Sequence, residues 1–465
     1  MIYDIMDYGV EADGTTDDIA AINTLITNTS NSGGGTLIFP SGKVILISAP
    51  IQLKSDVCLI TSGAKTTLKA IDIDDDETDP EPQPNGTPDT DMASIFSTYG
   101  GASGTRKNIK ISGFDFVLSP SGNGNPLDDF TLDFINQAIF INDAENITIE
   151  NCAFNNLSAF AGIYVQETKN ITIKNCVFKN SSGGVNFHGT NENVKIDSNT
   201  FEYLSTHGIH IQGSGDITNN KYCSNVWITK NRIVIGAEDV HGIYLTCGDT
   251  QFAGSSSHHE NVVVADNVIT GPGSLSNASD GTADLFSLKD IVRLKCYGNT
   301  ARNSGDLGFA IERCHFGVVS NNTADQNNSC GISIFGSSHM SVTGNVCAHN
   351  EQNHDYDPLT NSGGLGSAPY GGIRVEFDSV HVLLSGNHFF GAGFEAGNTE
   401  QGQTYGIVVK EANVEDITDI NLRTRSPYNI KIGINHYADN KNGDIYNEIE
   451  STIISDLNAT VAPTP

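Results

Sequence analysis

A short motif, glycine-apolar-any-apolar, recurs through the middle of the chain: GIYV at Gly162, GVNF at Gly184, GIHI at Gly208, GIYL at Gly242, GFAI at Gly308, GISI at Gly331, GIRV at Gly372 and GIVV at Gly406. Between its copies runs a second motif, a β-rich segment closed by asparagine: ITIEN at Asn151, ITIKN at Asn175, VKIDSN at Asn199, VWITKN at Asn231, VVVADN at Asn267, and again at Asn299, Asn322, Asn345 and Asn387. Where no insertion intervenes the step is 24 residues from Asn151 to Asn175 and from Asn175 to Asn199, and 23 from Asn322 to Asn345. A fixed period of roughly 20–50 residues marks a solenoid. Two or three short strands in each period make it an all-β parallel helix, a single coil whose inward and outward residues alternate along every strand.

Composition narrows the partners. The 48 glycines and the 17% of charged residues fit a turn-dense β protein. A net charge of −30 excludes nucleic acid and an anionic membrane as partners. The nine cysteines are an odd number without a CxxC pair, so a disulfide framework is not expected. Cys152 and Cys176, one period apart, read as stacked buried thiols. No apolar run approaches ~18 residues, and the N-terminus lacks a basic-then-apolar leader, so no signal peptide is read in this chain. Nine acids and no Lys or Arg between Asp72 and Asp91 read as an exposed acidic loop. No cofactor is expected. Structural Ca²⁺ is the one ion the loop acids admit, there or at Asp355-Tyr356-Asp357. His258-His259-Glu260 is a weaker candidate for a metal site, because adjacent histidines seldom chelate one ion.

Residues 1–50 read as an N-terminal cap, 51–412 as the β-helix, and 413–465, where the period fades, as a C-terminal cap or oligomer-contact segment. In the cap, Asp17 is placed to N-cap a helix on which Ile19, Ile22 and Ile26 share one face. Such a helix would close the open end of the coil and protect its strand edges. The opening YDIMDYGVEADGTTDDIAAINTLI…GGGTLIFPSGKVILIS, continued by MASIFSTYGG…NIKISGFDF, resembles the pectate-lyase-like right-handed parallel β-helix superfamily, which includes phage tailspike depolymerases and mannuronan epimerases. The resemblance covers the first ~120 residues by motif and the rest by periodicity. It implies a right-handed coil, a polysaccharide partner, an extracellular or virion-associated setting and, from the tailspikes, a homotrimer. It does not imply one reaction, since the superfamily holds lyases, hydrolases, epimerases and non-enzymes.

Insertions after the Gly-motif strand, at 213–224 and 247–260, and before it, at 270–283, 348–370 and 390–405, would wall the outward face of that strand from both sides. The first outward column reads Tyr164, Asn186, His210, Tyr244, Ser287, Ala310, Ser333, Arg374, Val408. The second reads Gln166, His188, Gln212, Thr246, Lys289, Glu312, Phe335, Glu376, Lys410. The turn at Ser287 and Lys289 is placed by aligning DLFSLK, which lacks the glycine.

Two groups stand out. Asn186, His188, His210, Gln212 and Tyr244 fall on three consecutive turns, and imidazole and phenol can remove a proton beside a carboxylate that amides neutralise. That is the chemistry of a uronate lyase or C5 epimerase, with His210 or Tyr244 as base. GVNFHG is similar to the epimerase pattern Gly-apolar-Asp-Pro-His, with His188 on the His position but Asn186 and Phe187 replacing Asp and Pro. The second group is acidic. Glu312 and Glu376 lie two turns, about 9–10 Å, apart, which suits an inverting hydrolase. Asp378 is a nearer partner for Glu376, and Asp306 stands at the start of its strand. Lys289, Arg313 and Arg374 can hold sugar hydroxyls or a carboxylate, and Phe335 can stack on a sugar ring. The favoured expectation is hydrolysis of a polysaccharide by Glu312 and Glu376, ahead of a lyase or epimerase and of a non-catalytic glycan-binding fibre or adhesin.

Overall fold

The computed structural model describes residues 1–70, 94–98, 105–117, 137–157, 161–213, 221–236, 240–247, 257–272, 284–350, 371–391, 403–410, 426–440, 442–449, 452–455 and 459. The chain divides into two compact units, Met1–His210 and Ile211–Pro465. Both are parallel β-coils with three strands per turn. The acidic stretch Asp72–Asp91, Asp355 and Asp357 lie outside the described residues.

In the first unit the ladder starts at once. Ile2–Asp4 pairs in parallel with Gly35–Phe39, which pairs with Val57–Thr61. The helix Ile19–Asn31 buries Ile22, Leu25, Ile26 and Thr29 and contacts the strands Ile51–Gln52, Gly35–Phe39 and Val57–Thr61. This is the capping role its apolar stripe implies. The N-cap residue is Asp18, not Asp17, and Asp18 makes no cap bond. Its carboxylate instead accepts from the backbone N–H groups of Glu11 and Ala12 at 2.8 and 3.0 Å. Asp17 is drawn to Ser48, although it still accepts from Ile19 N at 3.2 Å. Inside the coil one aromatic column runs Phe116, Phe154, Phe178, Phe201, with centroids 4.8, 4.5 and 4.7 Å apart and planes within 6°.

The second unit repeats the plan. Phe286–Lys289, Ile291–Tyr297 and Thr300–Arg302 make one turn; Phe309–Glu312, His315–Ser320 and Thr323–Asp325 make the next. Asparagine explains the second sequence motif here. Asn231, Asn267, Asn299, Asn322, Asn345, Asn387 and Asn435 stack, each backbone N–H donating to the next Oδ1 at 2.9–3.0 Å. From Asn267 on, each Nδ2 donates to a strand carbonyl of the turn before, such as Asn322 Nδ2 to Cys296 O at 3.0 Å. The ladder thus satisfies buried backbone groups at a corner that strands alone would leave open.

Asn151 and Asn175 do not belong to that ladder. They occupy the left-handed corner position one residue earlier, with φ of 57° and 53°. In those turns Cys152 and Cys176 take the ladder position, buried and free as thiols, and Cys176 N donates to Asn199 Oδ1 at 2.9 Å. The coil also continues past residue 412: Lys431–Ile432 pairs with Val380–Ser385, and Gly443–Asn447 with Tyr405–Val409.

The glycine of the first motif is a matter of space. A Cβ on Gly331 would lie 2.8 Å from Gly372 O and 2.9 Å from Asn350 Nδ2, and one on Gly308 would lie 2.7 Å from Gly331 O and 2.8 Å from Asn327 Nδ2. At Gly308, Gly331 and Gly372 the missing side chain lets the next turn's backbone, and a second amide ladder of Asn327, Asn350, Gln403 and Asn440, approach the strand start.

Candidate functional site

The register of the Gly-motif strands places both outward columns as the alternation demands. In the second unit Tyr244, Ser287, Ala310, Ser333, Arg374 and Val408 are successive partners. So are Lys289, Glu312, Phe335 and Glu376. The strand without a glycine, Phe286–Lys289, is therefore in the expected frame. These columns are outward but not open: Ser287, Ala310 and Ser333 are 0, 0 and 3% exposed, and Arg374 and Glu376 are buried.

Four carboxyl groups and three cations gather on this face. Glu312 Oε2 lies 3.2 Å from Lys289 Nζ and 3.6 Å from Arg313 Nη1. Glu376 accepts from Arg374 Nη2 at 2.5 Å. Asp306 precedes the strand Phe309–Glu312 and Asp284 precedes Phe286–Lys289. Asp284 is buried and accepts from Ser287 Oγ at 3.1 Å. Burial, then the neighbouring Asp306 and Glu312, hold its carboxyl well above the usual carboxylate range, against the pull of Lys289 and Ser287. Burial raises Asp306 too, with Glu312 and Glu376 adding to it and Ser329 and Arg374 opposing. Burial works to lower Lys289, but Glu312 and Asp284 outweigh it and hold the ammonium above its ordinary value. A like charge nearby disfavours ionisation, and with burial it is one way a carboxyl keeps its proton.

Tyr244 belongs to this group. Its ring centroid is 5.8 Å from Lys289 Nζ and 4.8 Å from the His241 ring, and His241 Nδ1 is 2.9 Å from Asp284 O. Gln212 ends the strand Ile209–Gln212, half-buried. In the first unit Asn186 is buried in register with Tyr164, His188 is in register with Gln166, and the His210 ring meets that of His207 at 4.9 Å.

Other expected residues take different places. Asp378 is one residue of slack in a corner: Phe335 pairs with Glu376 and Ser338 with Val380, so this turn is one residue longer than the one before. It follows Phe377, at φ 49°, rather than extending the strand beside Glu376. Arg313 sits at the corner with φ 51° and gives its guanidinium to Asp290, at 2.6 Å from Nε and 3.0 Å from Nη2. Phe335 packs its ring on Phe377, centroids 4.4 Å apart. His259 is fully buried, with Nδ1 accepting from Cys223 N at 3.1 Å and Nε2 bonding Thr246 O at 3.0 Å. It is a corner residue and not a ligand, and among the described residues no group of three or more His, Cys, Asp or Glu could hold a metal ion.

Asp284 was not singled out from the sequence. The signal is there, in Asp-Leu written twice before consecutive strands, DLFSLK and DLGFAIE.

Comparison with known proteins agrees with this architecture. A family model described as "Right handed beta helix region" matches residues 117–283, and one described as "Rhamnogalacturonase A/epimerase, pectate lyase-like" matches 2–77. "Alginate lyase 7" of Azotobacter vinelandii is 33% identical over 79 residues, which are 16% of this chain and 9% of that protein. Among solved structures, the surface adhesin PfbA of Streptococcus pneumoniae superposes with a TM-score of 0.57 at 18% identity, over 98% of this chain and 93% of that one. The catalytic unit of a GH87 alpha-1,3-glucanase from Streptomyces thermodiastaticus does so with a TM-score of 0.55 at 11% identity, over 97% and 69%. At such identities the superpositions speak to the fold. With the parallel ladders and the two family-model matches, they give the chain a right-handed parallel β-helix fold whose opening residues are similar to the pectate-lyase-like proteins.

Proposed function

We propose that the chain is a polysaccharide hydrolase that works on the outward face of the second unit's Gly-motif strands. One observation carries this: Asp284 and Asp306, at the starts of consecutive strands, form a carboxyl pair held above the ordinary range by burial and by the acids around them. Such a pair divides the work of glycoside hydrolysis. Asp284, the more buried, gives its proton to the glycosidic oxygen as the bond to the anomeric carbon breaks. Asp306, which Arg374 favours in its charged form, takes a proton from the water that attacks that carbon. Glu312 and Glu376 each already bond a cation, so in this reading they fix Lys289 and Arg374 and leave the proton transfers to the aspartates. The glucanase and lyase relatives support a glycan as substrate, and the adhesin supports a setting outside the cell.

A second reading has one observation in its favour, the Lys289 ammonium beside the Tyr244 ring. A cation there favours a phenolate, the base a uronate β-elimination needs. Product analysis over a panel of polysaccharides separates the readings. Hydrolysis yields reducing ends without new absorbance near about 235 nm, elimination yields both, and an adhesin yields neither. With the hydrolase reading, Asp284→Asn loses about 10²–10⁴-fold in kcat while Tyr244→Phe keeps most of it; the reverse pattern would overturn it.

A further inference from the structure

We infer that this face takes an uncharged polysaccharide and rejects uronate chains and other anionic glycans. The inference uses the proposed hydrolase site for its location and goes further by naming the charge of the substrate. A polyuronate carries a carboxylate on every ring, so a face that binds one must offer a cation to each as the chain runs along it. The cations here are already matched. Lys289 is held by Glu312 at 3.2 Å, Arg374 by Glu376 at 2.5 Å, and Arg313 by Asp290 at 2.6 Å. Lys410, buried, follows Val409, the register partner of Val375, and so comes one turn beyond Glu376. Seating a sugar carboxylate on Lys289, Arg374 or Arg313 would strip a half-buried or buried carboxylate of its cation, which costs more than the new pair returns.

Beyond the matched pairs stand Asp284 and Asp306, which have no ion-pair partner among the described residues and repel an incoming anion whenever either is charged. The sequence extends the same field. The chain as a whole carries a net charge of −30, and such a field lowers the local concentration of anions. Neutral sugars suit it, because their hydroxyls donate to carboxylates without bringing a charge.

The test is binding to the full wild-type chain, read in the cold at early times so that cleavage stays small. Oligosaccharides of neutral glucans, galactans and mannans are titrated against oligouronates, with Ca²⁺ and with EDTA. At least one neutral oligosaccharide should bind at least about tenfold more tightly than any oligouronate in both conditions, with an affinity that changes less than about twofold as salt rises from about 0.05 to 0.5 M. An oligouronate that binds as tightly or more tightly, with or without Ca²⁺, overturns the inference, as does failure of every neutral glycan to bind. If the wild-type chain binds neutral glycans and releases no reducing ends, the hydrolase reading falls while the charge preference stands.

Discussion

Lys289 and Glu312 face each other in register on adjacent turns, with Nζ and Oε2 3.2 Å apart. The pair sits between the two functions proposed for this face: Glu312 raises the carboxyls of Asp284 and Asp306, and Lys289 lowers that of Asp284. Removing the cation should therefore move one limb of the pH profile in a known direction. In Lys289→Met, Asp284 loses the charge that favours its ionised form, so its carboxyl titrates at higher pH. The acid stays protonated further into the alkaline range, and the alkaline limb of kcat/KM shifts upward. Lys289→Arg should restore the limb. A limb that stays in place, or moves down, while activity falls would make Lys289 merely structural.

His259 gives a pH dependence of stability. Its imidazole is fully buried between Cys223 N and Thr246 O, and burial holds it down to about 4 from 6.5. The unfolded chain takes up a proton at this residue as pH falls through 6.5 and the folded chain does so only near 4. Its contribution is thus complete above pH 6.5 and is lost as pH falls between those values, by about 2–3 kcal/mol at pH 4.5. Asn191 makes the equivalent two bonds with a neutral amide: Oδ1 accepts from Thr168 N and Nδ2 donates to His188 O, each at 3.0 Å. His259→Asn should keep the fold and flatten this slope. Urea midpoints at pH 7 and 4.5 check it; an unchanged slope in the variant would place the acid sensitivity elsewhere.

The scaffold was legible in the sequence because stacking makes it periodic. The Gly-motif columns, the frame of DLFSLK and the stacked thiols of Cys152 and Cys176 all follow from a repeat that each turn must share with its neighbour. Part of the candidate site's placement was legible, since Glu312, Asp306, Lys289, Tyr244 and Arg374 lie on one face. What escaped is what a repeat does not encode. Period alone cannot tell a corner asparagine in the left-handed region, such as Asn151, from a ladder asparagine one residue later. Nor can it show that an outward column is buried, or that Arg313 turns away to Asp290. Asp284 lies in neither column and, unlike Asp306, does not stand before a copy of the glycine motif.

The glycine of the repeat gives the sharpest test of the packing. Gly331 faces Gly372 O, Asn350 Nδ2 and the Ala324 methyl at 2.8, 2.9 and 3.0 Å from where a Cβ would stand. None of these is the loose end of a flexible side chain: one is backbone, one is locked in an amide ladder by Asn327 and Gln403, and one is the Cβ of a fully buried alanine. Gly331→Ala must then push two turns apart, which costs about 1–3 kcal/mol as overpacking does elsewhere. Because a coil unfolds in sections, the loss should be local. Amide exchange should accelerate in the strands Phe309–Glu312, Ile332–Phe335 and Ile373–Glu376 and not in Ile2–Asp4 or Gly35–Phe39. Unchanged exchange in those three strands would show that the motif glycine is not required by the close approach of the next turn.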